Sequence, residues 1–235
     1  MDHATNHLGQ PIGFALPEWQ KRPRPDRRIL EGRFTRLEPL DAASHSDDLW
    51  QAFATDIDGR SWTYMPFGPF AGQAAFAEFL ADMSRGDDPV YYAILDRTTG
   101  RALGIASFMR IQPEHGVIEV GGIAYAPPLQ RTPAATEAMY LMMAHAFDDL
   151  GYRRYEWKCD ALNAPSRRAA ARLGFTHDGL FEQAIVYKGR NRDTAWFSIL
   201  DRNWPKVQRG VEAWLSPENF DAGGNQRRSL VKCRA

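Results

Sequence analysis

Cysteine is almost missing: of 235 residues only Cys159 and Cys233 carry a thiol, too few for a disulfide framework. No apolar run approaches the ~20 residues a membrane span requires. The first thirty residues hold Pro, Asp and Arg and lack the apolar core of a secretory leader. Together these absences predict the reducing cytoplasm and no membrane partner. Surplus charge is missing too, with 29 basic residues against 29 acidic ones, so nothing directs the chain to nucleic acid. The six histidines (His3, His7, His45, His115, His145 and His177) are too scattered for metal-ligand spacing, so no metal is expected. What is present is an ordinary globular composition, 44% hydrophobic and 25% charged, in a chain long enough for one generous domain.

Residues 1–30 lack periodicity and are rich in Pro and Arg (Lys21-Arg22-Pro23-Arg24-Pro25), which reads as an N-terminal arm. Alternation from Arg33 to Leu40 marks a half-buried strand. Asp41 is placed to cap a helix bearing Leu49, Trp50 and Phe53. A second helix, from about Gly72 to Met83, sets Phe76, Phe79, Leu80 and Met83 on one face. Between them, Trp62 to Phe70 is an aromatic segment broken by Pro and Gly, a loop whose rings need a surface. Three strands follow in meander order: Val90 to Asp96, Ala102 to Ile111 and Val117 to Tyr125. A helix opens at Pro133 and runs to about Asp149, with Met139, Met142, Met143 and Ala146 at helical spacing. Arg154 to Cys159 is a strand and Asn163 to Leu173 a short helix closed by Gly174. Leu180 to Tyr187 and Thr194 to Leu200 form a hairpin around Lys188-Gly189-Arg190-Asn191. Pro205 opens a last helix with Val207, Val211, Trp214 and Leu215, and the chain from Ser216 reads as polar loop.

This order predicts the α/β (α+β) class: a mixed, mostly antiparallel sheet with helices on both faces. The unit 117–159 is expected to be a right-handed parallel crossover within it. The expected organisation is an arm over 1–30, one domain over 31–201, and a helix and tail over 202–235 packed on that domain.

The turn before Pro133 suits an anion. A helix N-terminus offers unpaired N–H groups and the positive end of the helix dipole. Thr132 suits the N-cap, Pro133 the first turn, and Ala134, Ala135 and Thr136 are small enough for close approach. An ordinary helix start has the same appearance, so spacing alone leaves both readings open. The residues themselves go further. Gln130-Arg131-Thr132-Pro133-Ala134-Ala135 resembles the pyrophosphate loop of the GCN5-related N-acetyltransferases, whose pattern is Gln/Arg-x-x-Gly-x-Gly/Ala. Asn163 and Ser166, followed by Leu173-Gly174-Phe175, are similar to that family's closing helix. The pairing of Asn-x-x-Ser with Leu-Gly-Phe resembles the RimJ/RimL-type branch, whose characterised members acetylate the N-termini of ribosomal proteins. The resemblance spans roughly residues 30–200.

The resemblance implies an acyl-CoA N-acyltransferase with acetyl-CoA as co-substrate, which acylates a primary amine by direct attack in a ternary complex. The acceptor is a protein N-terminal α-amine or a small-molecule amine, and a second copy of the chain is an open partner. It implies a central parallel strand pair that splays, with Gly121-Gly122 suited to the bulge that opens it. Backbone groups of Ile123, Ala124 and Tyr125 would bind the pantetheine arm and thioester, the Ile123 N–H also stabilising the oxyanion. Gln130, Arg131, Thr132, Pro133, Ala134, Ala135 and Thr136 would cradle the pyrophosphate, Asn163 the pantetheine arm, and Arg167 the adenosine phosphates. Ser166 would protonate the departing thiolate, or else bond its own backbone. Glu119 is the candidate base, acting through water; its alternative is an ion pair with a neighbour such as Arg110. Trp62, Tyr64, Phe67 and Phe70 would line the acceptor side, or form a satellite cluster under a long loop. Two positions depart from the family pattern. Pro133 replaces the first loop glycine and removes a donor, and Ala170 stands where many members carry a proton-donating tyrosine. These departures keep a second hypothesis alive, a catalytically silent acyl-CoA-binding sensor or interaction module.

Overall fold

The computed structural model describes residues 3–235. Ten strands and six α-helices follow in chain order: β1 His3–Thr5, β2 Pro11–Gly13, β3 Leu30–Glu31, β4 Thr35–Pro39, α1 Ala42–Phe53, α2 Gln73–Arg85, β5 Val90–Asp96, β6 Ala102–Gln112 and β7 Val117–Tyr125. Then come α3 Pro133–Ala144, β8 Arg154–Asp160, α4 Ala164–Leu173, β9 Thr176–Tyr187, β10 Arg190–Leu200, α5 Trp204–Leu215 and α6 Leu230–Cys233. Strands β3 to β10 form one eight-stranded sheet in the order β3-β4-β5-β6-β7-β8-β10-β9. Its pairings are antiparallel except β7 with β8, the two strands that α3 connects. The α/β (α+β) architecture inferred from the element order is the one observed.

Strand alternation produces the layers. In β5, Tyr91 and Ala93 point to one face, while Val90, Tyr92 and Ile94 point to the other, and all five are buried. The first face packs under Leu49 and Phe53 of α1 and Phe76 and Leu80 of α2. The second packs under Met139, Met142 and Met143 of α3 and Val207, Val211 and Trp214 of α5. Side-chain caps fix where three helices start: Asp41 accepts from the Ala43 N–H, Thr132 from Ala135 and Asn163 from Ser166.

Three segments differ from the sequence reading. The arm contains a hairpin of its own, β1 with β2, and β3 joins the edge of the main sheet; residues 1 and 2 of the arm lie outside the described residues. The β9–β10 turn is two residues rather than four, because Lys188 (φ 48°) and Gly189 (φ 69°) both take the left-handed conformation that a tight hairpin turn requires. The tail is not all loop: α6 docks with Leu230 buried in the main core.

Candidate active site

The two parallel strands part where the sequence places a glycine pair. They pair only from Val117 with Arg154 to Val120 with Trp157. Beyond that point β7 stays with β6 but bulges. Gly121 faces Ser107 and Ala124 faces Ile105, leaving Gly122 and Ile123 opposite Ala106 alone. Gly122 has φ +59°, and a side chain there would collide with the Tyr91 hydroxyl. At Gly121 a side chain would meet the Met109 thioether. Gly122 is therefore needed for backbone conformation as well as space, whereas a side chain at Gly121 would displace the flexible Met109. The edge of β7 that faced β8 loses its ladder partners over Gly121 to Tyr125, which includes Ile123 to Tyr125, the stretch expected to bind the pantetheine arm. Within it the Tyr125 carbonyl already accepts from Gln130 Nε2 (2.9 Å).

The loop ahead of α3 is tightly turned. Arg131 sits at φ +63°, a region that costs a residue with a side chain roughly 1–2 kcal/mol. The Thr132 N–H donates to the Leu129 carbonyl (3.4 Å), and the Ala135 N–H donates to Thr132 Oγ1 (3.2 Å). Pro133 has no N–H. The amides of Arg131 and Ala134 make no hydrogen bond among the described residues, so they are the loop's available donors. The Thr136 hydroxyl accepts from Arg172 (2.9 Å), whose guanidinium lies 4.9 Å from the centre of the Trp214 ring.

Across the gap, Asn163 Oδ1 accepts from the Ser166 N–H (3.1 Å), which leaves its amide NH2 for a ligand. Ser166 Oγ accepts from Trp157 Nε1 (2.9 Å), so the hydroxyl keeps its own proton to donate. Ala170 is fully buried in the main core. Arg167 is exposed and donates to the Ala161 carbonyl (3.2 Å). A strand parting, two unpaired amides, a carboxamide and a hydroxyl form a donor set that fits a pantetheine diphosphate. Among the described residues, no group of three or more His, Cys, Asp or Glu is placed to hold a metal.

Glu119 lies on the other face. Ile118 and Val120 belong to the core under α3, so alternation turns Glu119 towards the α1–α2 side. Its side chain is 6% exposed and contacts two cations: Lys158 Nζ at 2.7 Å and Arg110 Nε at 3.4 Å. Lys158 also donates to Glu156 Oε2 (2.7 Å), and its ammonium sits 3.8 Å from the centre of the Trp196 ring. Burial pushes the Glu119 carboxyl above its ordinary range; Lys158 and Arg110 only partly offset this, and the Glu156 charge adds to it. Burial acts on Glu156 in the same sense, but Arg154 and Lys158 outweigh it, and that carboxyl falls below its ordinary range. Environments that push neighbouring carboxyls apart in this way separate a proton acceptor from a fixed charge. The pair with Arg110 was foreseen from sequence, and Lys158 was not. The visible signal was the alternation Tyr155-Glu156-Trp157-Lys158, which puts two charges on one face of a buried strand.

Of the four aromatic residues, Trp62, Phe67 and Phe70 pack as one cluster, with ring centres 6.0 Å (Trp62–Phe67) and 5.4 Å (Trp62–Phe70) apart. Phe53, Phe76 and Phe79 complete it. Tyr64 is half-buried near Tyr187, whose proton affinity is raised by burial, then by the Asp160 carboxylate and least by Tyr64. The tip of the β9–β10 hairpin reaches this loop: Lys188 Nζ donates to the carbonyls of Trp62 (2.8 Å) and Phe67 (3.2 Å).

The sheet opens between two parallel strands, with two unpaired loop amides on one side and a buried carboxylate on the other face, an arrangement that fits an acyltransferase taking its acyl group from a coenzyme A thioester. Comparison with known proteins agrees. The acetyltransferase (GNAT) domain model matches residues 35–176. A GCN5-related N-acetyltransferase from Brucella melitensis is 48% identical, with a TM-score of 0.91 over 93% of this chain and 99% of that one. A GNAT-family acetyltransferase from Chromobacterium violaceum is 39% identical, with a TM-score of 0.77 over 83% and 98%. The N-acetyltransferase YnaD of Bacillus subtilis is 25% identical over 156 residues, 66% of this chain and 89% of that one. The chain belongs to the GCN5-related N-acetyltransferase family, whose enzymes use acetyl-CoA as co-substrate. No helix among the described residues is long and apolar enough to cross a membrane.

Proposed function

We propose that the chain acetylates a primary amine, an N-terminal α-amine of a protein or a small-molecule amine, by direct attack while both substrates are bound. The observation that carries this reading is the parting of β7 from β8 after Val120, with Glu119 on the opposite face one residue earlier. The resemblance of Asn163, Ser166 and Leu173-Gly174-Phe175 to the RimJ/RimL-type branch supports a peptide N-terminus as acceptor.

Bound acetyl-CoA would supply an activated carbonyl and a thiol leaving group: the amine nitrogen forms a bond to the carbonyl carbon and the C–S bond breaks. The chain's own groups do the rest. The Arg131 and Ala134 amides and the Asn163 carboxamide hold the co-substrate, and the Ile123 N–H donates to the oxygen on which charge develops. Glu119 takes the proton of the attacking amine through water. Ser166 gives its proton to the thiolate and is restored from solvent. An α-amine titrating near ~8 needs less from the base than a lysine near ~10.4.

The test is thiol release from acetyl-CoA over a panel of N-terminal peptides and small amines, with Glu119→Gln beside the wild type. The variant should lose about 10²–10⁴-fold in kcat/KM, together with the acid limb of its pH profile. An unchanged profile removes Glu119 from the mechanism. Co-substrate binding with no turnover on any acceptor returns the chain to the silent-module hypothesis.

A further inference from the structure

We propose that Lys158 is the positioning residue of this site: clamped by Glu156 and the face of Trp196, its ammonium holds the Glu119 carboxylate ionised and fixed at the edge of the strand gap. This rests on the reading of Glu119 as proton acceptor.

The geometry carries it. Lys158 is 7% exposed and its ammonium has three partners, Glu119 at 2.7 Å, Glu156 at 2.7 Å and the Trp196 ring at 3.8 Å. An ammonium has three donors on a compact head, so one group can serve two carboxylates and an aromatic face together. An arginine's guanidinium holds its donors in one plane on a wider head, a different geometry for the same three partners. Trp196 is itself held, stacked on Phe181 at 4.6 Å, so the clamp does not depend on Lys158 alone. The residue sits one position beyond Trp157, where pairing with β7 stops. The strand that opens the gap therefore also carries the cation beside the base.

The charged groups facing Glu119 are few. From β6 comes Arg110, at 3.4 Å and 55% exposed; from β8 come Lys158 and Glu156, the latter braced by Arg154 Nε at 2.6 Å. The Arg110 pair is open to solvent and screened, whereas the Lys158 pair is not. With Lys158 gone, Glu119 and Glu156 would confront each other across the β7–β8 register with no buried cation between them. One would take up a proton, and Glu119, already pushed upward by burial, is the one expected to do so. A protonated Glu119 accepts nothing from an amine.

The experiment uses the full chain and two readouts. The first is the titration of the Glu119 carboxyl by ¹³C NMR of glutamate-labelled protein, assigned with Glu119→Gln; it needs no acceptor. The second is the pH profile of kcat/KM with an amine turned over in the panel. Lys158→Met should move the Glu119 titration up by about one unit or more, with the acid limb following by the same amount, and Lys158→Arg should restore part of it. A shift in that limb cannot come from the acceptor amine, whose own titration is the same in every variant. Glu119 titrating in Lys158→Met where it does in the wild type overturns the proposal. Should Lys158→Met fail to fold, Glu156→Gln decides: it keeps the lysine for Glu119 alone and should move the titration down, and an unmoved titration overturns the proposal. If instead Glu119→Gln leaves the pH profile intact, the base assignment itself falls, whatever Lys158 does to the titration.

Discussion

Glu119 is kept where a carboxylate is least comfortable, on a strand with its side chain almost closed to water. Its proton affinity is raised by burial in spite of two cations. Above its folded titration the ionised group weakens the fold relative to a neutral isostere. Below the ordinary glutamate range, near ~4.3, folded and unfolded chains both bind the proton and the difference disappears. Glu119→Gln is therefore expected to melt at or above the wild-type temperature at pH 8, and its advantage should shrink towards zero as the pH falls to about 4. Thermal melts across that range check it. A variant that melts lower than the wild type throughout would mean that the Lys158 bond outweighs burial. A residue whose removal leaves the fold at least as stable while cutting kcat/KM follows the trade-off between stability and activity expected of a functional site.

At the scale of the element, the β9–β10 hairpin does more than close the sheet. Nine of the first ten residues of β9 are exposed, yet the tip is tied across to the aromatic loop through Lys188. Burial of that ammonium lowers its proton affinity. Lys188→Ala should free the loop that holds Trp62 and Phe67. The expected outcome is an acceptor KM raised several-fold with the acetyl-CoA KM unchanged, read from initial rates with each substrate varied. Equal effects on both would show that the hairpin supports the whole sheet rather than the acceptor wall. Elements of this kind also mark the limit of what the sequence reveals. The helices and the meander were legible because apolar residues recur at fixed spacing, and the loop before Pro133 because capping chemistry is local. The β1–β2 hairpin and α6 were not, being short and almost without a buried face. The Lys158 contact was invisible for a different reason. Its partner lies 39 residues away, and only the register of two parallel strands brings the pair together. The aromatic loop was legible as rings in need of a surface, but not as a segment pinned by a lysine 126 residues downstream.

Across the whole molecule, the C-terminal segment is wired to the helix that follows the loop proposed to hold the co-substrate. Asn219 Nδ2 donates to the Trp214 carbonyl (2.9 Å), Gln226 accepts from the Trp214 indole N–H (2.7 Å), and Phe220 packs edge-on at 5.3 Å. Trp214 in turn supports the Arg172 guanidinium, which donates to Thr136 in the first turn of α3. The tail thus steadies the helix whose N-terminus is proposed to hold a diphosphate. Two variants separate this link from general stability. Leu230→Ala deletes core packing at α6 and should cost about 2–5 kcal/mol in denaturant unfolding, with the acetyl-CoA KM of the folded enzyme unchanged. Trp214→Ala should cost about 3–5 kcal/mol and also raise the acetyl-CoA KM several-fold at a temperature where both variants remain folded, because Arg172 then loses the surface that aims it. If the two variants shift KM alike, the tail acts only through overall stability. If Trp214→Ala alone shifts it, Trp214 and the tail residues that hold it, Asn219, Phe220 and Gln226, brace the loop proposed to bind the co-substrate.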